Sequence, residues 1–270
     1  MADDRVIPVN DHDRYTHAME KSMMDKLYFM DKVDAVSFFD YGCADGALLH
    51  AAQGLFPDHA YFGFDEDLRM VERCKHRATV RLEEFQKWVS EAEGPRCLIL
   101  SSVVHELYSY RREWVPRFWK WAFEGGVSNV AGRNPRDWGF DYIALRDMCV
   151  SRTTSRPSDP ISVAKVRMRY DRERLSQWEA RWGSLDENWS LTHFLLTYRY
   201  TEGWEREVRE NYLPIPLEEL LSLVPEQWEP RYIEHFTLPY VRGCVRRDFG
   251  IDLQDRTHLK LILARTGRSE

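Results

Sequence analysis

The stretch FFDYGCADGALL, residues 38–49, leaves an apolar run on an acidic residue, turns through two glycines, and re-enters apolar residues at helical spacing. The run before it, AVSFFDY (35–41), is β-rich and continuously apolar, as a strand covered on both faces must be. ALLHAAQGLF (47–56) reads as a helix that stops before Pro57-Asp58. Gly42 and Gly46 therefore stand where a strand gives way to a helix. Glycine there permits unusual backbone angles and lets a ligand approach without meeting a Cβ. The helix beyond offers free N–H groups. Asp40 closes the strand at its carboxyl end, where open parallel sheets take their ligands.

Outward from the turn, AYFGFD (60–65) reads as a second strand and LRMVERCKHRA (68–78) as a second helix. Asp65, nineteen residues past Gly46, ends that strand. A carboxylate at this point can accept both hydroxyl hydrogen bonds of a ribose. The combination describes an adenosine-type nucleotide site at the edge of the first two strands.

The rhythm continues along the chain. TVR (79–81) is the candidate third strand, LEEFQKWVSEA a helix, RCLILSS (96–102) a clear strand, and FDYIALRDM (140–148) another. VVHELYSY and EWVPRFWKWAFE read as helices between the last two. RYIEHFTLPY (231–240) and THLKLILAR (257–265) return to β after a helical stretch. Ahead of the sheet, residues 13–33 place Tyr15, Met19, Met23, Leu27 and Met30 at the spacing of an amphipathic helix. Alternating elements of this length predict an α/β fold with a mostly parallel sheet and helices on both faces. One domain over 1–270 is expected. It comprises an N-terminal helix and core (13–148), a helical substrate-binding insertion late in the sheet (149–225), and a C-terminal strand pair (226–270).

With these residues in place, the sequence resembles the class I S-adenosylmethionine-dependent methyltransferases. Their acidic residue followed by G-x-G-x-G reads here as Asp40-Tyr41-Gly42-Cys43-Ala44-Asp45-Gly46, with Ala44 in place of the middle glycine. The resemblance implies a Rossmann-like seven-stranded sheet with an antiparallel last strand, and S-adenosyl-L-methionine as cofactor. It also implies roles. Gly42, Cys43, Ala44 and Gly46 would pass the methionine end, Asp40 would help anchor its ammonium, and Asp65 would hold the ribose with Glu66 nearby. Met70 would cover the adenine, and Ser101 and Ser102 would end the fourth strand beside the methyl group. A dinucleotide fingerprint needs a third glycine that this turn lacks, and no phosphate-binding G-x-x-x-x-G-K-[ST] is present.

LILSSVVHELYSY (98–110) has neither the Pro-Pro-Tyr-type motif of base amino methyltransferases nor the Pro-Cys of cytosine C5 enzymes. His105 and Glu106 are the local groups able to take a proton from an acceptor. His105 reads equally as a general base and as a helix-capping or core-bonded imidazole. HELYS lacks the second histidine of a zinc HExxH motif, so no metal is expected. Tyr108 and Tyr110 are candidate walls of the acceptor pocket. Arg146 and Asp147 are either acceptor contacts or ion-pairing residues.

Composition bounds the rest. Hydrophobic residues at 43% and charged residues at 30% of 270 describe an ordinary globular chain. No apolar run is long enough to span a bilayer, and the acidic, polar start is unlike a secretory or transit segment. The five cysteines (Cys43, Cys74, Cys97, Cys149, Cys244) include no CxxC pair, which suits reduced thiols in a cytoplasmic protein. Residues 1–100 carry 12 Lys/Arg against 19 Asp/Glu, whereas 151–182 carry 8 against 4. An acidic body with a basic segment suits a local anionic acceptor better than a coated polyanion. RMRYDRERLSQWEARWG (167–183) interleaves Arg167, Arg169, Arg172 and Arg174 with Tyr170, Trp178 and Trp182, which tilts the acceptor toward RNA or a nucleotide. Leu175, Trp178 and Trp182 also form one apolar stripe, and His193 reads as a core histidine. A small-molecule methyltransferase, or a non-catalytic cofactor-binding subunit of the same fold, is the alternative.

Overall fold

The computed structural model describes residues 22–124 and 139–267. The strands are β1 Ser37–Tyr41, β2 Ala60–Phe64, β3 Arg77–Thr79, β4 Arg96–Ser101, β5 Tyr142–Met148, β6 Trp228–Phe236 and β7 His258–Arg265. They pair into one sheet in the order β3-β2-β1-β4-β5-β7-β6. β1 lies parallel to β2 and β4, β2 to β3, and β4 to β5, while β7 runs antiparallel to β5 and β6. This is the Rossmann-like, mostly parallel sheet with an antiparallel last strand that the sequence predicts.

The helices of the first half are α1 Met23–Lys26, α2 Ala47–Leu55, α3 Leu68–Val71, α4 Leu82–Glu91, α5 Val104–Tyr110 and α6 Val115–Glu124. Those of the second half are α7 Pro160–Arg169, α8 Arg172–Trp182, α9 Asn188–Thr197, α10 Trp204–Glu207, α11 Leu217–Ser222 and α12 Pro239–Phe249. Strand side chains alternate between faces, which sorts the core into two layers. Phe38, Cys97, Ile99 and Ile262 pack with Leu48, Leu49 and Ala52 of α2. Phe39, Leu98, Leu100 and Leu261 pack on the other face with Phe85 and Trp88 of α4, Leu107 of α5 and Phe118 of α6. All five residues of β1 are buried, which explains its unbroken apolar reading. Burying each large side chain contributes about 1.5–3 kcal/mol.

The helices between β5 and β6 carry a core of their own. Trp178, Leu175, Phe194 and Trp204 cluster there with Val245 and Phe249 of α12. Among the described residues no helix is long and apolar enough to cross a membrane.

Several expectations shift. Of the helix expected over 13–33, Tyr15 and Met19 lie outside the described residues, and only Met23–Lys26 is helical among those described. The helix expected over 68–78 ends at Val71, and the third strand forms at Arg77–Thr79 rather than 79–81. Pairing of Phe62, Gly63 and Phe64 with Arg77, Ala78 and Thr79 overrides the helical propensity of that segment. α12 was not anticipated at all. Its signals were Pro239 in the first turn and Gly250 as a left-handed cap at φ 65°.

Candidate functional site

The turn after β1 folds back over the end of β2, where the N–H groups of Gly42 and Cys43 donate to the Phe64 carbonyl at 2.8 and 2.9 Å. Gly42 (φ 83°) and Gly46 (φ 77°) both occupy the left-handed region. A Cβ on Gly42 would stand 2.7 Å from Val103 Cγ2, and one on Gly46 would stand 2.3 Å from Cys74 Sγ. The glycines thus admit neighbouring side chains of the protein itself. Ala44 (φ 48°) and Ser102 (φ 59°) are the non-glycine residues with positive φ among those described, and both border the same cleft. Strain of this kind persists where surrounding structure holds it.

That cleft opens at the carboxyl ends of β1, β2 and β4. Asp40, Gly42, Cys43, Ala44, Asp65, Ser101, Ser102 and Glu106 line it, as do Met23, Lys26, Asp45, Ala47, Leu48 and Val103. Asp65 sits at one end, its Oδ2 accepting from the Ala44 N–H and its Oδ1 from the Asp67 N–H, each at 2.8 Å. Burial raises its carboxyl above the ordinary range, against the pull of those two N–H donors. Asp40 lies at the floor, 2% exposed. Its Oδ1 and the Ser101 hydroxyl are buried without a hydrogen-bond partner among the described residues. Burial pushes Asp40 up to about 7, while Lys26 opposes the shift. Burial, and then the charge of Arg146, bring Lys26 down to about 8. Burial of the charged form is costly for both groups, which is why each is pushed toward neutrality.

Lys26 reaches the cleft because α1 is tied to the sheet. Asp25 accepts from Arg146 of β5 at 3.0 Å and pairs with Lys260 of β7 at 2.6 Å. Arg146 also donates to the Ser102 hydroxyl at 3.0 Å. Arg146 is therefore an ion-pairing residue that braces the cleft.

Glu106, which also lines the cleft, stands on the first turn of α5. His105, 4% exposed, turns away from the cleft and into the protein. Its Nδ1 lies 2.7 Å from Asp147 Oδ1, and its Nε2 lies 3.7 Å from Glu210 Oε2. The other Asp147 oxygen accepts the N–H groups of Val104 and His105 at 2.7 and 3.2 Å, capping α5 from a neighbouring strand. The pull of Asp147 and Glu210 overcomes burial and raises the His105 pKa, while His105 lowers that of Asp147. Arg206 donates to Oε1 of Glu106 and to Oε1 of Glu210, each at 2.7 Å. Burial and Glu210 push both Glu106 and Glu207 up to about 7. His193 is fully buried and neutral, its pKa brought down to about 3 by burial. Its Nε2 accepts the Tyr212 N–H at 3.0 Å and so fixes the loop that carries Glu210.

The remaining candidates fall elsewhere. Gly46 caps α2 without lining the cleft, and Glu66 pairs with Arg111 at the surface. Met70 is buried. The Tyr108 hydroxyl accepts from Trp119 Nε1, and Tyr110 donates to Glu210 Oε1 at 3.2 Å. Arg167 pairs with Glu179 and Asp186, and Arg169 donates to the Asp248 carbonyl. None of Arg167, Arg169, Arg172 and Arg174 lines the cleft. Trp178 is fully buried and Trp182 donates to the Val208 carbonyl, so the aromatics of this segment are core. Sequence reasoning missed Lys26, Arg206, Glu207 and Glu210. For Lys26 the signal was a cation on an otherwise apolar helical stripe; the others lie too far along the chain to be connected without the fold.

No protein-family model matches the sequence, and a search of curated proteins finds no match. Solved structures similar in fold include the plantazolicin methyltransferase BamL in complex with a triazolic desmethylPZN analog and SAH. It is 10% identical, with 95% of this chain and 88% of that chain covered and a TM-score of 0.41. The pyocyanin biosynthetic protein PhzM is 12% identical over 94% of this chain and 58% of its own, with a TM-score of 0.49. The geranyl diphosphate C-methyltransferase of Streptomyces coelicolor is 10% identical over 93% of this chain and 80% of its own, with a TM-score of 0.45.

Proposed function

We propose that this chain is a methyltransferase that uses S-adenosylmethionine and acts on a small-molecule acceptor. The observation that carries the reading is the pair of orphaned polar atoms, Asp40 Oδ1 and Ser101 Oγ, buried in a cleft that also holds Lys26 and Asp65. These residues fit the cofactor's polar groups. Asp40 and Ser101 would take its ammonium, Lys26 its carboxylate, and Asp65 its ribose hydroxyls. Each Asp65 oxygen already accepts one backbone N–H and has a second lone pair to offer.

When bound, the cofactor supplies an activated methyl group on a sulfonium. The protein's share is then mostly positioning. Ser102 and Glu106 carry the acceptor end of the cleft, and His105 stands behind Glu106 as a positioning residue. A carboxyl held near neutrality, as Glu106 is, can take a proton from an acceptor hydroxyl or amine.

Two features favour a small acceptor over RNA. None of the arginines of 167–174 lines the cleft, and Glu106 puts a carboxyl on its wall. A carboxylate there disfavours a phosphate backbone. Incubation with methyl-labelled S-adenosylmethionine tests the reading, using a panel of hydroxyl and amine metabolites beside total RNA. Label in one or more metabolites is expected; label in RNA alone would contradict the assignment of acceptor.

A further inference from the structure

The fold completes a donor set that the local sequence does not contain. HELYS has a single histidine, yet the loop after α10 brings Glu210 to it. One donor atom from each of His105, Glu106 and Glu210 lies within 4.8 Å of the other two. Donors around an ion at about 2.1 Å stand roughly 3 to 4 Å apart, so a sub-ångström to ångström adjustment closes the set. We infer that His105, Glu106 and Glu210 bind one divalent cation at the inner end of the cleft.

The orientation of His105 is the first support. Asp147 holds Nδ1 at 2.7 Å, and Asp147 is itself fixed by the N–H groups of Val104, His105 and Met148. A carboxylate locked this way keeps a ring proton on Nδ1 and points Nε2 forward, toward Glu210. Carboxylate–histidine pairs of this geometry orient metal-ligating imidazoles. What Nε2 faces is Glu210 Oε2, at 3.7 Å. An imidazole and a carboxylate in that relation, both in residues under 5% exposed, share either a proton or a cation.

The second support is how Arg206 is placed. It binds Oε1 of Glu106 and Oε1 of Glu210, and Tyr110 adds a donor to the same Glu210 oxygen. Arg206 thus ties the two glutamates to each other through one oxygen of each. Asp147 and Glu210 are the buried carboxylates of the cluster, with Glu106 and Glu207 partly exposed beside them, and a buried carboxylate is costly unless a cation stands against it.

One imidazole and two carboxylates suit Mn²⁺ or Zn²⁺ rather than a thiolate-seeking ion. Glu106 is the ligand that also lines the cleft, so the ion's open positions would face the acceptor and take an oxygen donor from it. In that role Glu106 acts as a ligand, and the ion loosens the acceptor's proton. This last extension rests on the methyl-transfer reading; the binding site does not.

The test is Mn²⁺ titration of the full chain, stripped with a chelator and followed by the loss of the free-ion paramagnetic resonance signal. No cofactor is added, so the result is independent of methyl transfer. One Mn²⁺ per chain is expected, with affinity reduced at least tenfold in Glu106→Gln and in Glu210→Gln. Asp147→Asn is expected to weaken it 10- to 100-fold through His105. Glu106 is partly exposed, so Glu106→Gln keeps the test usable if Glu210→Gln fails to fold. Absence of saturable binding to folded wild type would assign the position to a proton on His105 and overturn the site. Binding undiminished in Glu106→Gln would place Mn²⁺ on other carboxylates and overturn it equally.

Discussion

Asp65 accepts the backbone N–H of Ala44 at 2.8 Å, so the carboxylate that ends β2 also clamps the turn that follows β1. The residue in position to hold a ribose is therefore part of the scaffold that shapes the cleft. Its second oxygen does the same for Asp67, the cap of α3.

Asp65→Asn is expected to destabilise the protein by about 1–3 kcal/mol, because an amide leaves one of the two buried N–H donors facing an NH₂ group. Urea unfolding measures this directly. A variant as stable as wild type would show that the clamp contributes nothing.

Asp40 makes the unliganded protein sensitive to pH. Its folded pKa of about 7 lies above the ordinary 3.8, so the native state binds more protons than the unfolded state between those values. Its contribution is present below about pH 4 and is lost as pH rises to about 7. Asp40→Asn removes that loss. Thermal unfolding without ligand should show the variant gaining stability over wild type between pH 4 and pH 8; parallel pH profiles would contradict the assignment.

Gly42→Ala should cost more than a surface substitution, about 1–3 kcal/mol, from a strained left-handed φ and the contact with Val103. Val103→Ala removes only the second part. A double-mutant cycle is expected to give a coupling of roughly 0.5 kcal/mol or more, and full additivity would mean that Val103 is not the obstacle.

The sheet was legible because β1, β4, β5 and β7 are continuous apolar runs bounded by turns, a pattern set by burial on both faces. The edge strand β3 was misplaced by two residues because three residues on a sheet edge carry no periodic signal. The helix expected across 68–78 stops short because pairing of 77–79 with β2 outweighs local propensity. Asp40 and Asp65 were readable from their places at strand ends. The acceptor end was only half readable. His105 and Glu106 are local, but Asp147, Arg206 and Glu210 reach them through sheet pairing and the helices between β5 and β6. Leu175, Trp178 and Trp182 were readable as one apolar stripe and are core, while the neighbouring arginines, which tilted the acceptor toward RNA, lie on the helices' charged faces.

The measurement that bears most directly on the cleft is calorimetric titration of S-adenosylhomocysteine into wild type and Asp40→Asn. Asp40 is the better variant than Asp65, because its Oδ1 makes no hydrogen bond among the described residues that its loss would break. One site at micromolar Kd, about −8 kcal/mol, is expected for wild type, weakened at least tenfold in folded Asp40→Asn. No binding to folded wild type, with no nucleoside released when the purified protein is denatured, would contradict a cofactor role for the cleft.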